Sequence, residues 1–455
     1  MAGTSPAMTT VREETQPDTI FASASGQGRA AVATIRISGP DASGLLRRLL
    51  SGKLPAPRRA SLRRLSDPMT GEVLDQGLVI WMPGPASFTG EDQAELQIHG
   101  SPAVRRAVLR VLAQAPGCRA AEPGEFTRRA FLNGRLDLTA VEGLADLIDA
   151  ETEAQRRQAL RQLEGRLAGE IASWRERLLA ALAACEAALD FSDEDDVPED
   201  VAAGACAAGE AVRREIAAAL DQAARGERVR EGFQVVIAGP PNAGKSTLLN
   251  ALARRDVAIV SPVPGTTRDA IEIRCDLGGL PVTFVDTAGL RESGDEVEQE
   301  GIARARARIR AADLVLWLMP ADRAPGEEAG LPPLSEPSLR VATKADLGSA
   351  PAGAQLAVSA RTGAGLPALL ARIEQIAGGV MEGAGDAVLT RERHRAVLSR
   401  VLDCLDHAAI AGQGGAIELL AEDLRLALRH LGRMTGAVDV EEVLDRIFSS
   451  FCIGK

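Results

Sequence analysis

The segment GPPNAGKST (residues 239–247) follows an apolar run, opens a helix-forming stretch, and sets Lys-Ser directly behind the second of two glycines. Glycines in such a loop let backbone N–H groups wrap phosphate oxygens; the lysine reaches the β/γ oxygens and the hydroxyl can hold Mg²⁺. The pattern assigns Asn242, Ala243, Gly244, Lys245, Ser246 and Thr247 to a nucleotide's phosphates, with Ser246 on the metal. Downstream, PGTTRD (264–269) offers the hydroxyls of Thr266 and Thr267 to the γ-phosphate. Asp286, Thr287, Ala288 and Gly289 then supply a carboxylate on the metal side and a glycine N–H. In TKAD (343–346), Lys344 and Asp346 form a base-reading pair, and Ser359 and Ala360 follow the last strand in VSART. A carboxylate at Asp346 can accept both N1–H and N2–H₂ of guanine, a pattern adenine does not offer. Each later motif is weak alone; in this order they point to GTP.

Two residues depart from the commonest pattern. Thr343 stands where asparagine is usual, which leaves an ATP-using phosphate-loop enzyme as an alternative. Leu290 follows Gly289, where many GTP-hydrolysing switches carry a glutamine that orients water. A leucine neither donates nor accepts a hydrogen bond, so hydrolysis needs another device.

The elements around these motifs change character along the chain. AAVATIRISG (30–39) and GLVIWMPGP (77–85) read as strands, and 103–117 as a short amphipathic helix ending at Gly117, an α+β arrangement. From about 125 to 229 the sequence is Ala- and Leu-rich helix. Leu163, Leu167, Ile171, Trp174, Leu178, Leu182, Cys185 and Leu189 form one stripe on a long helix. The acidic DFSDEDDVPED (190–200) interrupts it as a solvated loop. Residues 232–375 alternate strand and helix, which predicts a doubly wound sheet. A Gly-rich linker (378–385) leads to further helix, with Leu420, Leu424, Leu428 and Leu431 in register. The simplest architecture inserts a nucleotide-binding domain into a helical one.

Composition sets bounds. The chain has 455 residues, enough for two or three domains, with 45% apolar and 25% charged residues. A formal charge of −11 gives no general electrostatic case for autonomous nucleic-acid binding. The cysteines at 118, 185, 206, 275, 404 and 452 show no CxxC pairing, so free thiols in a reducing compartment are expected. His99, His394, His407 and His430 have no metal spacing and read as structural or surface residues. No stretch approaches a membrane span, and residues 1–17 lack the apolar core of a signal peptide and read as a disordered leader. The expected location is cytoplasmic, with no membrane partner.

The nucleotide block resembles a translation-factor-type GTPase of the TrmE–Era–EngA kind. Over residues 18–455 the chain resembles the MnmE (TrmE) family of tRNA-modification GTPases. That resemblance is carried by SFTGEDQAELQIHG (87–100), PGEFTRRAFLNGRLDLTAVEGLADLIDA (123–150), SPVPGTTRD (261–269), DTAGLRESGDEVEQEGIARA (286–305) and FCIGK (451–455). It implies an α+β folate-binding-like N-terminal domain (18–132) and an all-α helical domain in two parts (133–229 and 379–455). Between them it implies an inserted α/β phosphate-loop GTPase (G) domain (230–378).

The resemblance also implies an answer to Leu290. K⁺, held by Asn242, Ser261, the Val263 carbonyl and Thr266, takes the place of a cationic side chain, and Thr267 joins Ser246 on Mg²⁺. Glu298 orients the water; read from the residues alone it belongs to a solvated acidic loop. The implied second site holds 5-formyltetrahydrofolate between Arg36, Glu95, Arg135 and Lys455, with Cys452 near the one-carbon unit as nucleophile or bystander. By themselves Arg36 and Glu95 read as ordinary strand-surface residues. The implied assembly is a homodimer that binds GTP or GDP and joins two FAD-containing MnmG subunits. It adds a carboxymethylaminomethyl (cmnm5) group to the wobble uridine U34 of certain tRNAs. A regulatory or ribosome-assembly GTPase sharing only the G domain is the alternative, and it has no use for an N-terminal folate site.

Overall fold

The computed structural model describes residues 18–26, 28–190, 201–255, 257–259, 272–286, 307–322, 337–383, 387–437, 444, 447–448, 451 and 454. The chain divides into two compact units, residues 1–141 with 439–455 and residues 142–438.

In the first unit, β1 (Thr19–Ser23), β2 (Val32–Ser38), β3 (Ser61–Ser66), β4 (Val73–Met82), β5 (Gln93–His99) and β6 (Cys118–Ala120) form one sheet. Its order is β3-β4-β5-β2-β1-β6, antiparallel apart from the β1–β6 pair. Strand alternation explains its two faces. Ala33, Ile35 and Ile37 of β2 are fully buried, while Thr34 and Arg36 between them are not. Helices α1 (Ala42–Leu49) and α2 (Pro102–Ala113) cover the apolar face through Leu45, Leu46, Leu49, Val108 and Leu112. The Ser101 side chain accepts the Ala103 N–H to start α2, and Pro102 sits in its first turn. The helix stops at Ala113, short of Gly117, where the sequence pattern placed its end. A third helix, α3 (Glu125–Leu132), follows β6. Arg36 and Glu95 lie on the face that α1 and α2 leave open.

Helix α4 (Leu138–Asp149) starts in the first unit and ends in the second, where α5 (Glu153–Leu163), α6 (Arg166–Asp190) and α7 (Val201–Glu231) lead into a sheet. Its strands are β7 (Phe233–Ala238), β8 (Ala258–Ile259), β9 (Glu272–Leu277), β10 (Leu280–Asp286), β11 (Leu314–Pro320), β12 (Ser338–Thr343) and β13 (Leu356–Ala357), in the order β13-β12-β11-β7-β10-β9-β8. Helices α8 (Lys245–Ala253) and α9 (Leu366–Val380) pack on it, and α10 (Glu392–Gln413) and α11 (Ile417–Thr435) return to the helical layer. There α6, α7, α10 and α11 share a core around Trp174, Ile216, Leu405 and Leu424. Trp174 is 2% exposed and gives its indole N–H to Glu215 Oε2 at 3.0 Å, so its bulk is buried with its polar edge satisfied. Among the described residues no helix is long and apolar enough to cross a membrane.

Three sequence expectations need correction here. Leu163 is the last residue of α5, because Gly165 at φ +85 ends that helix before α6 begins the stripe at Leu167. Gly378 and Gly379 lie inside α9, whose buried Ile373 and Ala377 carry the helix through them, so the expected linker starts later. The doubly wound sheet is parallel from β13 to β10, but β8 and β9 join antiparallel. The β9–β10 hairpin turns on Gly278 and Gly279, both at positive φ, which a two-residue hairpin loop of this kind requires.

Candidate functional site

The phosphate loop runs from β7 to α8. Gly239, at φ +149, passes so close to β11 that a Cβ there would lie 2.8 Å from the Leu318 carbonyl oxygen. Gly244 caps α8 at φ +88, and Asn242 also takes a left-handed backbone at φ +61. A non-glycine residue in that region carries strain, of the kind that persists at ligand-binding loops. Ala243 is buried and Thr247 exposed. Lys245 Nζ donates to the carbonyls of Gly239 (3.0 Å) and Pro240 (3.1 Å), which folds the ammonium over the loop.

Ser246 Oγ donates to Asp286 Oδ2 at 2.8 Å, so the first helical hydroxyl and the fully buried carboxylate ending β10 face one point. Hydroxyl and carboxylate oxygens are the donor set a hard divalent cation takes, so these residues fit Mg²⁺. At the far end of the sheet, Ser359 Oγ donates to Asp346 Oδ1 at 2.6 Å. That hydroxyl holds the Asp346 carboxyl below its ordinary range, fixing an anionic acceptor for the base. Lys344, at φ +57, pairs with Asp322 at 2.6 Å, and Ala360 lies partly buried beside Ser359. Thr343 Oγ1 donates to the Ala243 carbonyl at 2.7 Å, tying the base-reading loop to the phosphate loop. The sequence reading treated Thr343 as a departure and missed this role. Ser261, Val263, Thr266, Thr267, Thr287, Ala288, Gly289 and Glu298 lie outside the described residues.

The second set converges on the open face of the first sheet. Arg36 and Glu95 are direct cross-strand partners in β2 and β5. Arg36 Nε donates to Glu95 Oε1 at 3.1 Å, and the pair is partly buried. The Arg36 guanidinium carbon also lies 5.7 Å from the ring centroids of both Phe88 and Phe126. Neither ring was singled out from sequence, since residues 36, 88 and 126 meet only through the fold. Arg135 is exposed, and its Cγ would lie 3.4 Å from a Cβ at Gly90, two residues beyond Phe88. The chain end arrives here as well: Arg36 Nη1 reaches the Gly454 carbonyl at 3.5 Å. Gly454, at φ +100, passes so near β1 that a Cβ would lie 2.5 Å from the Ser23 carbonyl oxygen. Phe448 and Phe451 are buried, so their part of the tail is packed rather than frayed. A carboxylate and a guanidinium beside two aromatic rings fit a flat heterocycle with a polar edge. Cys452 and Lys455 lie outside the described residues.

Of the histidines, His394 is fully buried and hydrogen-bonded through Nε2 to Glu142 Oε2 at 2.8 Å, a structural role. No group of three His, Cys, Asp or Glu side chains among the described residues could hold a metal ion.

A family profile described as the GTP-binding protein TrmE N-terminus matches residues 19–135, and one described as the MnmE helical domain matches residues 138–452. The tRNA modification GTPase MnmE of Methylobacterium sp. (strain 4-46) is 62% identical over 443 residues, covering 96% of this chain and 100% of that protein. Its counterpart in Methylorubrum populi is 62% identical over 448 residues, covering 98% and 99%. The one in Parvibaculum lavamentivorans is 54% identical over 439 residues, covering 96% and 100%. Identity of this extent runs through both the phosphate-loop unit and the sheet carrying Arg36, and the chain belongs to the MnmE (TrmE) family of tRNA-modification GTPases.

Proposed function

We propose that the chain is a potassium-stimulated, cytoplasmic GTPase which works as a homodimer joined by two FAD-containing MnmG subunits. Together they add a cmnm5 group to the wobble uridine U34 of certain tRNAs. The observation that carries the GTPase half is the Ser246–Asp286 contact at the phosphate loop, with the anionic Asp346 held by Ser359 on the same sheet. Lys245 and the loop N–H groups bind the phosphates of GTP, and Asp346 selects guanine. Ser246 and Thr267 would hold Mg²⁺. The amide of Asn242, the hydroxyls of Ser261 and Thr266 and the Val263 carbonyl would hold K⁺. Fixed cations beside the transferring phosphoryl group neutralise charge as it develops. With that stabilisation in place, Glu298 positions the water through a second water, and the chain manages with Leu290.

The Arg36–Glu95 pair, the Phe88 and Phe126 rings, Arg135 and Lys455 would hold 5-formyltetrahydrofolate, which supplies the one-carbon unit. Glu95 reads the N–H edge of the pterin, while the cations hold its glutamate tail. Two experiments test the reading. Mass analysis of wobble uridines from a strain lacking this protein should show U34 without the cmnm5 group; a normal modification pattern overturns the tRNA assignment. GTP turnover should be faster in K⁺ than in Na⁺ buffer, and equal rates overturn the potassium assignment.

A further inference from the structure

Residues 42–66 hold seven Lys or Arg side chains and no Asp or Glu, in a chain whose formal charge is −11. All seven are exposed. Among the described residues Arg48 alone of them pairs with a carboxylate, that of Asp41. Blocks of like charge ordinarily stay unfolded through self-repulsion. This one is ordered as α1, a short loop and β3, the edge strand of the first sheet. Charge on an edge strand does discourage pairing with other chains, but a lone cation suffices for that.

The position of the row says more. Arg58 takes a left-handed backbone at φ +60, its N–H donates to the Trp81 carbonyl at 2.7 Å, and its guanidinium donates to the Ala86 carbonyl. Ala86 belongs to the loop that presents Phe88 to Arg36. The cations therefore begin at the rim of the Arg36–Glu95 site. They continue through Arg59 to Arg64, which pairs in register with Gln76 on the face of the sheet that carries Arg36 and Glu95, whereas Arg63 is on the other face. At strand spacing this covers about 20 Å.

We propose that this row is a docking surface for the phosphate backbone of tRNA, bringing the wobble base beside the folate held at the neighbouring Arg36–Glu95 site. The inference rests on the tRNA-modification reading above. Guanidinium forks match phosphate oxygens, and contacts of this class set the register of a nucleic acid without reading its sequence. The chain's overall acidity then limits tight non-specific binding elsewhere, so the docked strand meets a local cationic track on an otherwise repelling surface.

The test uses the full-length protein and an unmodified tRNA transcript bearing U34, with binding followed by fluorescence anisotropy from about 50 to 200 mM salt. Combined Arg59→Glu and Arg64→Glu should weaken binding at least about tenfold, while Arg63→Glu on the opposite face should leave it unchanged. The combined variant should also flatten the log–log salt dependence by about 2, leaving GTP turnover and melting temperature unchanged. The matching Arg→Lys variant should keep the salt slope, and an Arg→Gln set gives the same comparison if the glutamates disturb folding. Equal affinity and slope in a folded charge-reversed variant overturn the proposal. So does failure of the unaltered protein to bind the transcript at low salt. Loss of binding to the flavoprotein partner with tRNA binding intact also overturns it, because the row would then serve an acidic protein. Wobble-uridine modification separates the two readings. If the unaltered protein supports none, the tRNA reading fails; if the variant modifies normally, the docking row alone fails.

Discussion

The hydroxyl of Thr343 donates a 2.7 Å hydrogen bond to the carbonyl of Ala243, a buried contact between residues a hundred positions apart. It joins the end of β12 to the loop that wraps the phosphates, so the two halves of a bound nucleotide are read by one rigid frame. Losing the donor would leave a buried carbonyl without its partner, a cost of about 1 to 3 kcal/mol. Thr343→Val should therefore weaken GDP binding roughly tenfold and lower the melting temperature, while Thr343→Ser preserves both. Titration with a fluorescent GDP checks this, and unchanged affinity in the valine variant would show that the frame does not depend on the contact.

Arg36 and Glu95 neutralise one another across β2 and β5, and two phenylalanine rings flank the guanidinium. A ligand that engages both must keep each charge partnered. Removing the carboxylate strands a partly buried guanidinium, and charged hydrogen bonds are worth about 1.5 to 3 kcal/mol. Glu95→Ala should reduce 5-formyltetrahydrofolate affinity at least about tenfold in calorimetry, with GTP binding untouched. Equal folate affinity in the variant would remove Glu95 from the site.

The two sites differ in how much of them the sequence discloses. GPPNAGKST is legible because backbone geometry restricts it: Gly239 and Gly244 need positive φ, one of them against a neighbouring strand. The β9–β10 hairpin carries two local signals that the broader strand–helix alternation overrides, the Gly278-Gly279 turn and a β9 that alternates Glu272, Arg274 and Asp276 with Ile273, Cys275 and Leu277. Gly165 was read through because the leucine stripe continues in phase on both sides of it. Phe88, Phe126, Gly454 and Thr343 are another matter. Their significance lies in which strand or loop they meet, and no periodicity encodes a meeting of residues so far apart. The Arg36–Glu95 pair became visible beforehand through family resemblance, not through spacing.

Glu298 follows the carboxylate of Asp286 by twelve positions, in the segment DTAGLRESGDEVEQEGIARA through which the family resemblance assigns it to the water. A residue that only positions water contributes to turnover and little to ground-state binding. Glu298→Ala should depress single-turnover GTP hydrolysis on the order of a hundredfold while GDP and GTP affinities hold. Parallel loss of affinity and rate would point to structural damage instead. The experiment is cleanest in K⁺ buffer, where the cation's contribution stays constant between the two proteins.

His394 and Glu142 make stability depend on pH in a direction the geometry fixes. Burial holds the His394 imidazole below its ordinary 6.5, with the hydrogen bond to Glu142 opposing and the charges of Arg393 and Arg391 adding to the effect. Its Nδ1 is buried with no partner among the described residues, so a proton there would have nothing to donate to. Burial raises the Glu142 carboxyl, but the bond to His394 and the Arg393 guanidinium outweigh it and leave it at about 2. Asp146, paired with Arg391, is the other carboxylate facing this cluster. The unfolded chain takes up a proton at His394 as pH falls through 6.5 while the folded chain does not, so stability declines from there. A second decline follows below 4.5, where the unfolded Glu142 protonates first. Urea midpoints should therefore drop between about pH 7 and 5, and His394→Gln, which keeps a donor for Glu142 without titrating, should flatten that interval. A wild-type midpoint that rises as pH falls across it would mean that the imidazole is buried with its proton on, and a level one that His394 titrates alike in the folded and unfolded chains.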